Sequence, residues 1–128
     1  MSLEQALADF GREIGVQSLA PGPEGTVQLR FESGAILGVG RQGAAVVVHL
    51  AEPVPAHEAA DVLLRAMKQA ATPDAGAPAW QVGLFSADSQ DWLVHAMHLP
   101  EAGFDAPALR QAHEHLRRCL AQLGMHGA

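Results

Sequence analysis

The chain has 128 residues, almost half of them apolar, and carries 8 Lys and Arg against 14 Asp and Glu for a formal charge of −6. That length suits one domain over residues 1–128, with room for a core of useful size. The acidic balance argues against nucleic acid, which needs clustered Lys and Arg, and no apolar run approaches the roughly 18 residues of a membrane span.

The first predicted element is a helix from Leu3 to Ile14. Leu3, Leu7, Phe10 and Ile14 recur at helical spacing. Ser2 with Gln5 three residues on reads as a capping box, and Gly15 is a natural stop. Pro21-Gly22-Pro23-Glu24-Gly25 is a loop. From Thr26, Val27, Leu29 and Phe31 alternate with Gln28, Arg30 and Glu32, the pattern of a half-solvated strand. Turns at Ser33-Gly34 and Arg41-Gln42-Gly43 set off two more strands, Ala35 to Gly40 and Ala44 to Leu50. Connections this short imply an antiparallel meander.

Glu52-Pro53-Val54-Pro55 breaks the sheet before a second helix, Ala56 to Ala71. A loop over residues 72–78 follows, then strands Trp80 to Ala87 and Trp92 to Leu99 around the polar turn Asp88-Ser89-Gln90-Asp91. The last helix starts at Asp105, a good N-cap, with Pro107 tolerated in its first turn. Leu109, Ala112, Leu116, Leu120 and Leu123 line one of its faces, and Gly124 ends it. The fold class is therefore α+β in the order α-β-β-β-α-β-β-α, an antiparallel sheet with helices packed on it.

Catalytic chemistry is hard to find. Of the seven histidines, His95 and His98 sit three apart on a strand and so face opposite sides. His113 and His115 lie roughly 200° apart around a helix, and His49, His57 and His126 fall in separate elements. No zinc-site spacing exists among them, so neither a metal nor another cofactor is expected. Gly38-Val39-Gly40-Arg41-Gln42-Gly43 matches the dinucleotide fingerprint only in letters, because a strand follows where that motif needs a helix. Cys119, the single cysteine, reads as a packed thiol beside Leu116 and Leu120. A lone thiol suits a reducing cytoplasm. The start Met1-Ser2-Leu3-Glu4 lacks the features of a signal peptide, and the same localisation is expected from it.

The apolar residues are distributed unusually. An antiparallel sheet with helices on one side should be polar on the other. The second and third strands instead place apolar groups on both faces, through Ile36, Leu37 and Val39 and then Val46, Val47, Val48 and Leu50. The second helix carries two adjoining stripes, Ala59-Leu63-Ala66-Ala70 and Ala60-Leu64-Met67-Ala71, wider than one sheet contact requires. Such surfaces need cover, from a second copy or from apolar segments of another chain. Binding, not catalysis, is the expected activity.

Element order and local motifs resemble the class I chaperones of bacterial type III secretion, the Tir-chaperone or CesT-like family. Phe10-Gly11-Arg12-Glu13-Ile14-Gly15-Val16 is similar to the family's hydrophobic-Gly pattern at the end of its first helix. Gly25-Thr26-Val27-Gln28-Leu29-Arg30-Phe31-Glu32 is similar to its first strand, and Leu93-Val94-His95-Ala96-Met97-His98-Leu99-Pro100 to its last. Two departures stand out: residues 71–79 lack the usual Asn and paired Gly, and His98 replaces a basic residue. The resemblance implies a cytoplasmic homodimer without cofactors that binds the unfolded N-terminal region of a secreted effector and keeps it competent for secretion. By element, it implies a dimer interface at Leu63, Leu64, Met67, Trp80, Val82 and Leu84. Effector contact would fall at Leu3, Leu7, Ile36, Val39, Val46 and Val48. Two alternatives belong to other classes. One is a small dimeric scaffold of the roadblock or profilin-like sort, distinguished by two strands before the middle helix and three after. The other is a small hydrolase or isomerase using His95 or His98 with a nearby carboxylate.

Overall fold

The computed structural model describes residues 3–16, 25–72 and 78–124. The elements are α1 (Leu3–Ile14), β1 (Thr26–Arg30), β2 (Ile36–Gln42), β3 (Ala45–Val54), α2 (Ala59–Ala71), β4 (Gln81–Ala87), β5 (Gln90–Pro100) and α3 (Ala106–Gln122), with one 3₁₀ turn at Ala56–Glu58 leading into α2. The capping role expected of Ser2, most of the loop at residues 21–25, most of the loop at residues 72–78, and His126 lie outside the described residues.

The helix limits follow from local chemistry. Asp105 has extended backbone and its carboxylate accepts a hydrogen bond from the Ala108 amide at 2.9 Å, satisfying one of the orphan donors of α3. Gly124 takes a positive φ just beyond the C-terminus, where glycine costs least. The predicted second helix begins with a 3₁₀ turn because Pro55 has no amide hydrogen to donate and holds an extended ψ.

All five strands form one antiparallel sheet in the order β1-β2-β3-β5-β4. The first three make the expected meander. The connection through α2 then brings β5 against β3 and leaves β4 at the far edge. Three strands precede α2 and two follow it, the reverse of the roadblock or profilin-like count.

The helices share one face of this sheet. α3 packs over β3 and β5, α1 lies along α3, and α2 packs on β4 beside the C-terminal half of α3. Gln69 of α2 donates to the Cys119 carbonyl at 3.1 Å, and Arg65 donates to the Leu123 carbonyl at 3.1 Å. Beneath the helices lies one core containing Leu3, Leu7 and Phe10 of α1, Leu37, Val39, Val46, Val48, Leu50, Leu93 and Met97 of the sheet, and Leu109, Leu116 and Leu120 of α3. Successive strand residues point to opposite sides, so the alternate set faces away from the helices. No described element covers that second face.

Candidate protein-binding surfaces

Register defines the open face row by row. Arg30, Ile36, Ala51, Val94 and Gly83 are cross-strand partners in one row, and Gln28, Gly38, His49, Ala96 and Gln81 form the next. Thr26, Gly40, Val47 and His98 form a third, while Trp92 faces Pro53 and Phe85. The floor is built of glycine and alanine; Ile36, Val47, Val94, Trp92 and Phe85 stand above it. The result is an open trough of about 740 Å³ running from β1 to β4. A smaller groove of about 370 Å³ adjoins it beside Gly40 and Thr26. Phe85 is 61% exposed, an uncommon state for so large an apolar side chain.

A second apolar surface lies around the corner of the sheet. α2 buries Ala59, Val62 and Ala66 against the core. That leaves Leu64 and Met67, three apart and each 52% exposed, on its outer side. Leu84 on β4 is also exposed, and Leu63, Trp80 and Val82 are half-buried against the core. All six residues expected at a dimer interface therefore sit on α2 or at the edge strand on which α2 packs, and three of them are open to solvent.

The residues expected to contact an effector fare differently. Leu3, Leu7, Val39, Val46 and Val48 are buried in the core, beneath or within the helical layer. α1 and α3 cover the face that Val39, Val46 and Val48 present, and Leu3 and Leu7 belong to the same core. Only Ile36 reaches the open trough. Other apolar residues that line it include Val47, Val94, Trp92 and Phe85, of which Val47 belongs to the two-faced pattern of the third strand. The signal that could have found them is the pairing of Val47 with Gly40, which puts bulk beside a floor without side chains.

His95 and Cys119 are buried within the packing of the helical layer. His95 is fully buried, neither ring nitrogen has a protein partner, and burial together with the nearby His115 pushes its pKa down to about 4. Among the described residues no carboxylate is hydrogen-bonded to it. His115 lies edge-on to Trp80 at 5.0 Å, and His113 stacks on Phe31 at 5.5 Å. Burial raises the pKa of the Cys119 thiol, so it is less ionised than an ordinary cysteine, with His115 Nε2 3.8 Å away. Among the described residues no group of three or more His, Cys, Asp or Glu is placed to hold a metal ion. No described helix is long and apolar enough to cross a membrane.

Known proteins share both the fold and the sequence pattern. The type III secretory system chaperone SycN family model matches residues 2–123. No curated protein sequence matches the chain. Among solved structures, the fold is similar to a chain of the Yersinia pestis type III secretion chaperone SycH in complex with a stable fragment of YscM2. That match has a TM-score of 0.67 and 11% identity, covering 94% of this chain and 98% of the other. A chain of the ExsC–ExsE complex matches with TM-score 0.71 and 14% identity, over 100% and 98% of the two chains. One from the heterodimeric ExoU–SpcU complex of the Pseudomonas aeruginosa type III secretion system matches with TM-score 0.57 and 22% identity, over 91% and 93%. These identities speak for the fold, whereas the family match reads the sequence itself across nearly its full length. On that match the chain belongs to the type III secretory system chaperone SycN family.

Proposed function

We propose that this chaperone holds an unfolded, apolar segment from the N-terminal region of a secreted effector against the open face of its sheet, and that it works in the cytoplasm as a homodimer joined through α2 and β4. The observation that carries the reading is the trough. Ile36, Val47, Val94, Trp92 and Phe85 present apolar surface on a sheet face that no described element covers. Such a face is costly in water and marks an interaction site. The solved relatives include chaperones held with an effector or a fragment, which supports the choice of occupant.

The physics of such an interaction favours holding over folding. Backbone groups within the sheet are already committed to neighbouring strands, so the face recognises side chains, while among the described strands main-chain pairing is left to the outer edges of β1 and β4. Ordering a disordered segment costs a few kcal/mol, which leaves the complex reversible and the segment ready for export. The chain acts by binding and performs no chemical step in this reading. His95 is packed beneath the helical layer, away from the trough, whose prominent side chains Ile36, Val47, Val94, Trp92 and Phe85 are apolar.

Co-expression with secreted proteins of the same organism, each truncated to about its N-terminal hundred residues, tests the proposal. Stable co-purification with at least one segment is expected, lost when Val94 is changed to Asp. A chaperone that retains every segment after that change binds elsewhere.

A further inference from the structure

The trough and the smaller groove beside it adjoin along three residues that line both. Val47 borders both, and so do His49 and Gln28. These two residues belong to one cross-strand row, with Gly38 between them. Gly38 has no side chain, and the His49 ring lies down over it: a Cβ built on Gly38 would come within 1.9 Å of the imidazole Cε1 and 2.3 Å of Nε2. His49 from β3 and Gln28 from β1 thus form a ridge across the glycine. On one side is the row of Ile36, Ala51 and Val94, on the other Thr26 and Gly40, and Val47 stands at the boundary.

Resting on the reading of this face as the effector site, we propose that His49 is a specificity-determining partition. It divides the face into two compartments, the larger walled by Ile36, Val94, Trp92 and Phe85 and the smaller by Val47 with Thr26 and Gly40, so that a bound segment must present two separated groups with a small residue over the ridge. The compartments differ in size, about 740 against 370 Å³, so the larger takes several side chains and the smaller a single one. Half-burial in this apolar setting lowers the imidazole pKa, which keeps the partition uncharged at neutral pH. Gly38 is then required for a physical reason: any side chain there would lift the ring into the path of the segment.

The test needs no secreted protein. The dye 1-anilinonaphthalene-8-sulfonate is titrated into isotopically labelled full-length chain, and the amide shifts of Gly40 and Val94 are followed, one in each compartment. In the wild type the two signals should saturate separately, with midpoints at least threefold apart. In His49→Ala they should merge into one curve. His49→Phe, which keeps the volume of the ring, should preserve two. A single curve in the wild type, two unchanged curves in His49→Ala, or no response to the dye in any variant would overturn the partition. Co-purification is read independently. Separate curves with no segment retained would sink the effector reading alone, and retained segments with a single curve would sink the partition alone.

Discussion

His95 of β5 lies directly opposite Leu50 of β3, and both side chains are completely buried, yet neither ring nitrogen of His95 is hydrogen-bonded to the protein. β4 supplies Val82 as its other neighbour, α3 supplies His115, and the residues that α2 buries fully are Ala59, Val62 and Ala66. Burial strips a protonated His95 of water, and His115 repels its charge, so its pKa falls from 6.5 to about 4. The unfolded chain takes up a proton near pH 6.5 that the folded chain refuses. Stability from this group is therefore complete above pH 6.5 and is lost as pH falls towards 4, by about 3 kcal/mol over the full window. Burial lowers the pKa of His49, His113 and His115 as well, adding to the same slope. Urea midpoints measured at pH 7.5, 6 and 5 should fall steadily, and His95→Leu should flatten much of the decline. Equal midpoints at all three values would contradict this account.

The carboxylate of Asp105 is the only side chain seen capping the start of α3, accepting from the Ala108 amide. Asp105→Ala should cost about 1 kcal/mol, the usual penalty for an N-cap lost to alanine. Because α3 crosses β3 and β5, that loss should register as a lower global unfolding midpoint and not as local fraying. A variant as stable as the wild type would show that the cap contributes nothing.

At the tip of the β4–β5 hairpin, Asp88 and Ser89 have φ of 52° and 63°, both in the left-handed region. This is the two-residue turn that matches strand twist, and Asn-Gly is its preferred sequence. Asp88→Asn with Ser89→Gly should raise stability by about 1 kcal/mol through relief of backbone strain. Thermal unfolding reads the gain directly, and a lower midpoint would count against the turn assignment.

Much of this architecture was legible in the sequence. The limits of α1 follow from Leu3, Leu7, Phe10 and Gly15, and those of α3 from Asp105 and Gly124, because caps and stops act locally. What stayed hidden was direction. Val46, Val47 and Val48 are chemically identical, so period two shows that they alternate without saying which face meets the helices. That depends on where α1 and α3 settle, a long-range property. The position of β5 between β3 and β4 was equally invisible, since it arises from the connection through α2 and not from any turn. On α2 the expected stripes missed Val62, which packs inward while Leu64 and Met67 remain outside.

Those two exposed residues carry the next prediction. A stable dimer buries about 800 Å² on each partner, and Leu64 and Met67 on α2 with Leu84 on the neighbouring edge supply apolar surface for it. Leu64→Asp combined with Met67→Asp should convert a dimer into a folded monomer. Light scattering during gel filtration at micromolar concentration gives the mass, and circular dichroism checks the fold. A wild-type chain that already runs as a monomer would remove the homodimer from the proposal. A double variant that stays dimeric would move the interface off α2.

Neighbouring valines on β3 offer the sharpest separation between core and binding surface. Val48 is fully buried under the helical layer beside Val39 and Met97, its cross-strand partners. Val47, one residue earlier, points into the trough opposite Gly40 and His98. Val48→Asp places an unpaired carboxylate in an apolar core, which costs several kcal/mol and should leave the chain unfolded or insoluble. Val47→Asp leaves the charge in contact with water, so it should cost little stability. It also puts a charge at the boundary of both compartments, so it should abolish co-purification of a secreted segment while circular dichroism and thermal unfolding stay near wild type. The same alternation makes Val46 intolerant and His49 tolerant of change. If Val47→Asp unfolded the chain and Val48→Asp did not, the two faces of the sheet would be exchanged and the trough would belong to the core.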